Sequence, residues 1–437
     1  MALPIVNMRP AFAAASVLGS GEWLYPGQYL MSANGENELI MQGDGNLVLY
    51  TFYSAPSGRA LWASNTAGES VEGVVMQTDG NLVIYSPSGL PLWYSNTCCH
   101  LGAGAYLVDQ DDGNLVIYTS TGAVLWATYT TAAPLTDWSF YMVNPNNGTN
   151  TWDASNPNSA YSLGFNQGQF DAQHNVSSMV ILDFGYQAWD NVDGIWNGAY
   201  QSWNANCGQG TYFGDADVQA IAEAFAEGYW DGVGYGDDTT VLTLGMGTNN
   251  YNCGVDMNYA GGQTWAGYVN TVNSWVSSNG FKSQVTIWGA DDMENGSGWA
   301  GPTATQDWIS GYDATTSLGY LDFGSADGCP TNTDNNGSCS NGWNQYDEWY
   351  ASWGTAQAFA TPEIYYDSLA QQWYEISAYG YQYQNGEDVL FYGPLTAYRC
   401  DAGLTPTQAW DDFRDALSGN PNTARNFTYS MDICGQG

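Results

Sequence analysis

Five residue types recur in the order Gln-x-Asp-x-Asn-x-Val-x-Tyr at three places in the chain. They are Gln42, Asp44, Asn46, Val48 and Tyr50, then Gln77, Asp79, Asn81, Val83 and Tyr85, then Gln110, Asp112, Asn114, Val116 and Tyr118. An ionised Asp accepts hydrogen bonds, Gln and Asn both donate and accept, and the Tyr phenol does either. With one aliphatic contact added, this set suits a ligand with adjacent hydroxyls and a small apolar face, which describes a hexopyranose. A spacing of two is the strand period, so the five residues are expected to share one face of a strand. Leu47 and Leu49, with Met41 at the strand's start, are then left for the core. A DG pair also marks turns between strands. A turn alone, however, does not require Gln before it and Val-x-Tyr after it three times.

A second phrase follows each motif: LWASNT from Leu61, LWYSNT from Leu92 and LWATYT from Leu125. Three copies of one supersecondary unit must stack or ring into a single core. These repeats resemble the bulb-type (monocot) mannose-binding lectin family, whose motif is matched at all five positions in every copy. The resemblance covers residues 18–130. It implies an all-β β-prism (type II) of three four-stranded sheets, with one mannose site per sheet. In each site the Gln, Asp, Asn and Tyr would bond sugar hydroxyls and the Val would touch ring carbons. Trp62, Trp93 and Trp126 hold equivalent repeat positions and are expected to meet in the central core. Members often carry an internal disulfide across the first two repeats, whereas here no cysteine precedes Cys98. The resemblance also implies pairing of copies through the lectin domain, and it requires no metal or other cofactor.

Composition narrows the partners. Six basic residues face 44 acidic ones in 437 residues, for a formal net charge of −38. Phosphates need cations to neutralise them, so nucleic acid is excluded as a partner and anionic membranes are disfavoured. Twenty Trp and 32 Tyr in a chain with only 11% charged residues fit the handling of sugars, whose rings stack on aromatic faces. No stretch approaches the roughly 20 apolar residues of a membrane helix, so no membrane insertion is expected.

Eight cysteines, an even number, fit an oxidising compartment. Cys207 with Cys253, Cys329 with Cys339 and Cys400 with Cys434 are the expected pairs, while the adjacent Cys98 and Cys99 either pair or stay free. With no C-x-x-C spacing and only His100 and His174 as imidazoles, no zinc site is expected. Residues 1–17 run into the apolar stretch AFAAASVL (11–18) without a basic segment before it, and read as an N-terminal extension or atypical signal remnant. The cysteines, the lectin and the composition point to a secreted, extracellular or cell-surface protein.

After a linker at 131–137, residues 138–437 alternate β-rich and amphipathic segments. Expected strands are 138–143, 178–184, 240–245, 284–289, 318–323, 363–366, 389–392 and 427–431. Helical patterns lie at 217–229, 264–276, 368–378 and 407–417, the last after a Thr-Pro start. That rhythm predicts an α/β (β/α)8 TIM-type barrel. An open doubly wound sheet is the alternative, disfavoured because no Gly-rich phosphate loop follows the first strand.

In a barrel the chemistry sits at the carboxyl ends of the strands. Asp183 ends the second, Asp291, Asp292 and Glu294 the fourth, and Asp322 the fifth, while Glu363 and Tyr365 lie in the sixth. Asp292 and Glu294 are two apart, so in extended backbone they point the same way. Glu294, Asp292, Asp322 and Asp183 are the candidate catalytic residues. Paired carboxylates there could divide acid and base roles in glycoside cleavage. The phrases WGADDMENG, LDFGSADGCP and PEIYYDSLAQQW make this region similar to glycoside-hydrolase-like barrels of secreted bacterial proteins, with no catalytic pair carried over. Two histidines and no G-x-S-x-G leave a Ser-His-Asp triad without support.

Two functions of different class fit. One is a lectin that targets a glycoside-hydrolase-like barrel to mannose-containing glycans or polysaccharides. The other is a non-catalytic adhesin or structural cell-surface lectin whose barrel is a scaffold. A lectin-type bacteriocin would show tandem prisms, and one is present.

Overall fold

The computed structural model describes residues 15–33, 35–52, 58–98, 104–130, 132–133, 135–142, 156–174, 176–201, 207, 211–234, 240–399, 403–417 and 429–434. The chain divides into two compact units, residues 1–133 and 134–437. Among the described residues no helix is long and apolar enough to cross a membrane.

The first unit is all β. In chain order its strands are β1 (Val17–Leu18), β2 (Trp23–Leu24), β3 (Tyr29–Met31), β4 (Asn37–Met41), β5 (Leu47–Thr51) and β6 (Arg59–Ala63). There follow β7 (Gly73–Met76), β8 (Leu82–Tyr85), β9 (Pro91–Tyr94), β10 (Tyr106–Asp109), β11 (Leu115–Tyr118) and β12 (Val124–Ala127). They form three four-stranded sheets, ordered β3-β4-β5-β6, β2-β7-β8-β9 and β1-β10-β11-β12. Neighbouring strands in each sheet are antiparallel. Three such sheets fit the β-prism that the resemblance implies.

Leu39, Met41, Leu47, Leu49, Met76, Leu82, Ile84, Leu107, Leu115 and Ile117 share one apolar cluster, each fully buried. Trp62, Trp93 and Trp126 pack against it and meet one another edge-on, with ring centroids 5.3, 5.8 and 6.0 Å apart. Each such aromatic pair adds about 0.5–1.5 kcal/mol beyond the area it buries. The internal core therefore holds three sheets together without a disulfide between the first two repeats.

One expectation is corrected here. Gln42, Asp44 and Asn46 do not lie on a strand: β4 ends at Met41 and β5 begins at Leu47, with a turn between. Gln42 N donates to Asn46 O at 2.8 Å and Gly45 N to Gln42 O at 3.1 Å, and the same bonds close the other two turns. Gly45, Gly80 and Gly113 have φ of +94°, +92° and +76°, the left-handed region that favours glycine. Only the Val and Tyr of each motif are in the strand.

The second unit opens with β13 (Asp137–Trp138), β14 (Phe140–Tyr141) and α1 (Pro157–His174). Next come β15 (Ser178–Asp190), β16 (Ile195–Gln201), β17 (Thr211–Phe213), α2 (Asp215–Val233), β18 (Leu242–Asn249), α3 (Tyr259–Ser278) and β19 (Val285–Asp292). The rest are α4 (Pro302–Asp313), β20 (Tyr320–Asp322), α5 (Gln345–Ser352), β21 (Ala358–Ala360), α6 (Asp367–Tyr383), β22 (Leu395–Thr396), α7 (Pro406–Leu417) and β23 (Met431–Asp432).

Parallel pairing runs β14-β15-β18-β19-β20-β21. Parallel bridges then join Ala360 to Phe391 and Glu363 to Leu395. β22 pairs in parallel with β23, and β23 with β13. β16 and β17 add antiparallel to the far end of β15. The sixth strand is Ala358–Ala360 rather than 363–366, because Pro362, with no N–H to give a ladder, interrupts the run. The seventh is a bridge at Phe391, inside 389–392, followed by β22 beyond that range. Of the expected eighth, residues 427–428 lie outside the described residues, and the pairing falls on Met431–Asp432.

Successive strand residues divide between two sides. Val180, Leu182, Phe184, Leu244, Met246, Val285, Ile287 and Tyr320 pack with the helices in one cluster. Met179, Ile181, Ala290, Leu321, Phe323, Leu395, Met431 and Ile433 form the other. Helices α1, α4 and α5 carry no strong sequence signal, and α1 contains Gly164 and Gly168. Those glycines serve packing: a Cβ at Gly164 would lie 2.1 Å from Phe225 O on α2, and one at Gly228 would lie 2.0 Å from Tyr161 O on α1. The backbones thus approach more closely than any side chain would allow.

Two of the expected disulfides are present, Cys207–Cys253 and Cys329–Cys339. Cys99 and Cys400, needed for the others, lie outside the described residues, as does His100.

Candidate functional site

In each repeat the bend of the turn, not a flat strand face, draws the motif's side chains together. Gln42 Nε2 donates to Tyr50 Oη at 3.0 Å, Gln77 to Tyr85 at 2.8 Å and Gln110 to Tyr118 at 3.0 Å. At the turn's tip, Asp44 and Asp79 are exposed and Asp112 is half-buried. Their Oδ1 atoms accept from the main-chain N–H of Asn46, Asn81 and Asn114 at 3.0, 3.0 and 2.8 Å. That bond two residues along is the Asx turn that orients the carboxylate. Val48, Val83 and Val116 are only 3, 2 and 2% exposed, so each offers a ligand no more than the edge of a methyl.

The second repeated phrase explains the fixed turn. Asn46 Oδ1 accepts from Ser64 Oγ and Thr66 N, both at 3.1 Å, and Asn81 Oδ1 accepts from Ser95 Oγ and Thr97 N, both at 3.1 Å. Asn114 Oδ1 accepts from Thr128 Oγ1 at 3.0 Å and Tyr129 N at 2.9 Å. Thr66, Thr97 and Thr130 donate to the carbonyls of Gly45, Gly80 and Gly113 at 2.7, 2.6 and 2.6 Å. Ser-Asn-Thr in the first two repeats, and Thr128-Tyr129-Thr130 in the third, is therefore a latch on the motif turn. It commits each Asn carbonyl to the fold and leaves the Nδ2 hydrogens as what that Asn can offer a ligand.

In the second unit, Asp292 at the end of β19, Glu294 just beyond it and Glu363 beyond β21 converge. One oxygen of each lies within 4.8 Å of the others. Glu294 and Glu363 hydrogen-bond to one another, and the Tyr365 phenol donates to Glu363 Oε1. Buried Asn250 fixes the Glu294 main chain, accepting from Glu294 N at 2.9 Å and donating to Glu294 O at 3.0 Å. Asp183 and Tyr141, from neighbouring strands, are close enough that charge on Glu363, Asp292, Asp183 and Glu294 acts on the Tyr141 phenol. Burial, followed by that charge, holds this phenol well above its ordinary range.

Burial also pushes Glu294 up to about 7, with Asp327 adding to the rise and the bond to Glu363 opposing it. Glu363 and Asp292 stand well above the usual carboxylate range, from burial first. Glu294 then acts most on Glu363, and Glu363 then acts most on Asp292. The same spacing would let one oxygen from each carboxylate ligate a cation.

Of the four sequence candidates, Asp183, Asp292 and Glu294 come together. Asp322 does not join them: it falls on the helix side of β20, where Ser352 Oγ of α5 donates to it at 2.7 Å and Gly324 N at 3.1 Å. Asp291 is on that side too, fully buried. Strand alternation decides this: Asp292 follows Trp288 and Ala290, whereas Asp291 follows Val285 and Ile287. Glu363, Tyr365 and Tyr141 are the members that the catalytic candidates omitted. The phrase PEIYY carried a signal for two of them, and Tyr141, a lone Tyr within the first expected strand, carried none.

No family model matches the chain. Over 83 residues it is 43% identical to a mannose-specific lectin of Aloe arborescens, covering 19% of this chain and 70% of that protein. It is 39% identical over 80 residues to the B-type lectin plumieribetin of Scorpaena plumieri, covering 18% and 66%. Against the mannose-specific lectin of Galanthus nivalis it is 43% identical over 82 residues, spanning 48% of that protein, about half its length. Among solved structures, snowdrop mannose-specific agglutinin complexed with methyl-α-D-mannoside is 43% identical, covering 26% of this chain and 95% of that one, with a TM-score of 0.21. A monomeric monocot mannose-binding lectin from Gastrodia elata is 41% identical, covering 27% and 99%, with a TM-score of 0.24. Over its first unit, the chain belongs to the bulb-type mannose-specific lectin family.

Proposed function

We propose that this is a secreted carbohydrate-binding protein whose first unit takes mannose-type residues at three sites, and whose second unit is a (β/α)8 barrel with a glycoside-hydrolase centre. The observation that carries the first part is the same bonded constellation in all three sheets: Gln to Tyr, Asp to the turn, Asn latched by the following phrase. The family's relatives are mannose-specific by name. Two disulfides support an oxidising compartment. The barrel reading rests on the succession of parallel pairings that returns from β23 to β13, with helices between the strands.

At the carboxyl ends of those strands, the hydrogen-bonded Glu294–Glu363 pair supports hydrolysis. A carboxyl held protonated near neutrality can give its proton to a leaving glycosidic oxygen, and an ionised partner can attack or activate water. Tethering by the lectin unit would raise the local concentration of glycan without altering the chemistry.

Calorimetric titration of the whole protein with methyl α-D-mannoside tests the first part: three sites are expected, and none after Asp44, Asp79 and Asp112 are all replaced by Ala. Product analysis of bound glycans after long incubation tests the second. Products that vanish in Glu294→Gln support a hydrolase, and none at any pH leaves an adhesin with a silent barrel.

A further inference from the structure

We propose that a cleft beside the carboxylate centre is a sugar subsite. The second unit would then act on glycan chains rather than on single glycosides. This rests on the hydrolase reading above. The cleft has a volume of about 340 Å³ and is lined by Tyr186, Trp189, Trp196, Tyr200, Tyr251 and Asn249, among others. That lies at the lower end of the roughly 300–1,000 Å³ of small-ligand sites.

Its walls are rings in fixed mutual contact. Tyr186 and Tyr200 stack at 5.7 Å, Trp189 and Trp196 meet edge-on at 5.1 Å, and Tyr186 lies 6.4 Å from Tyr251. Trp196 Nε1 is held by Asn258 Oδ1 at 3.0 Å. Aromatic faces carry partial negative charge, and the C–H groups on the face of a pyranose carry partial positive charge, so ring stacks on ring. Such a wall is built for a sugar face more than for a charged or extended peptide ligand.

Two links join the cleft to the centre. Asn249, in its lining, is the register partner of Asp292 across β18 and β19. Tyr251 meets Trp299 edge-on at 5.4 Å, and a Cβ placed on Gly296 would lie 3.0 Å from the Trp299 ring and 3.7 Å from Glu294 Oε2. A chain with one bond at Glu294 thus has an aromatic seat for a neighbouring residue. The β15–β16 hairpin, which supplies four of the five rings, extends past the point where the parallel pairing ends, and this seat gives it a use.

The test uses the full chain with Asp44, Asp79 and Asp112 replaced by Ala, so that the lectin sites are silent. Probes are manno-, cello- and chito-oligosaccharides of one to six residues, followed by intrinsic tryptophan fluorescence. For one of the series, affinity is expected to rise with each residue until the cleft is filled. Trp189→Ala, and separately Tyr251→Ala, should cost about tenfold, which corresponds to about 1.4 kcal/mol, with circular dichroism unchanged. Equal affinity at every length, no binding of any probe, or indifference to both folded variants overturns the subsite. Binding without turnover leaves the subsite standing and removes the hydrolase. Turnover indifferent to chain length and to both variants does the reverse.

Discussion

An oxygen of Glu294 lies within 4.8 Å of an oxygen of Glu363, and the two carboxyls bond to one another once either holds a proton. Two ionised carboxylates at that distance would repel in a buried setting, so the pair titrates as a unit. Tyr365 donates to Glu363 as well, and Asn250 fixes the backbone under Glu294. The pair is therefore held in place before any ligand arrives.

The first prediction concerns pH and turnover. Burial raises Glu294 to about 7 and holds Glu363 well above the usual carboxylate range. A proton-donating role is intact while the pair keeps its proton and fades as pH rises above about 7. Any glycosidase activity should thus have its alkaline limb near that value. Loss of a general acid costs about 10²–10⁴-fold. Glu294→Gln and Glu363→Gln should each lower kcat by that order while methyl α-D-mannoside binding by the first unit is unchanged. An activity as high at pH 9 as at pH 6 would refute the assignment.

The second prediction concerns the latch. Ser95 Oγ accepts from Leu82 N at 2.9 Å and donates to Asn81 Oδ1 at 3.1 Å. Ser95→Ala leaves a buried N–H and the Asn carbonyl short of partners, at about 1–3 kcal/mol. Calorimetry should then give two mannoside sites of unchanged affinity and one weakened, although Ser95 belongs to no sugar motif. Uniform weakening of all three sites would contradict a latch confined to its own repeat.

The sequence made the chemistry of the repeats legible and misread their geometry. Gln, Asp and Asn sit at alternate positions, and alternation suggested a strand. The Asp-Gly pair instead turns the chain, because Gly45 adopts a positive φ that other residues avoid. In the second unit, strand alternation separated Asp292 from Asp291 once the strand's phase was fixed, which the letters DD alone could not do. Glu363 was readable only as a residue of a supposed strand. Its meeting with Glu294 is a contact across non-neighbouring strands, and no local pattern encodes that. Helix α1 was hidden by the glycines that let it pack.

Those glycines give the third prediction. A methyl on Gly164 would fall 2.1 Å from Phe225 O, and one on Gly168 would fall 2.3 Å from Tyr229 O. Either substitution must push α1 off α2. Gly164→Ala should destabilise the second unit by about 1–3 kcal/mol, the usual cost of overpacking, despite alanine's higher helix propensity. A rise in the unfolding midpoint would mean that the helices have room to separate at no cost.

The last prediction follows from a single departure from threefold symmetry. Met41 and Met76 occupy equivalent places, pairing with Leu47 and Leu82, and both lie in the first unit's core. The third repeat has Asp109 there, paired with Leu115 and 1% exposed. Burial pushes its carboxyl up to about 8; a main-chain bond at Leu39 opposes the rise, and Asp111, Glu38 and Asp112 add to it. An acid whose folded pKa is raised binds its proton more tightly in the native state. Its contribution is fully present below the unfolded value near 3.8 and is lost as pH rises towards about 8. Buried Asp171, raised to about 7, acts in the same direction in the second unit. The unfolding midpoint of the wild-type chain should therefore rise as pH falls from 8 to 5. Asp109→Met, which restores the residue of the other two repeats, should raise the midpoint at pH 8 most and flatten the slope between pH 5 and 8. Asp171→Asn should flatten it only below about 7. If Asp109→Met instead lowers the midpoint equally at every pH, the carboxyl is held by packing and bonding rather than tolerated against its desolvation.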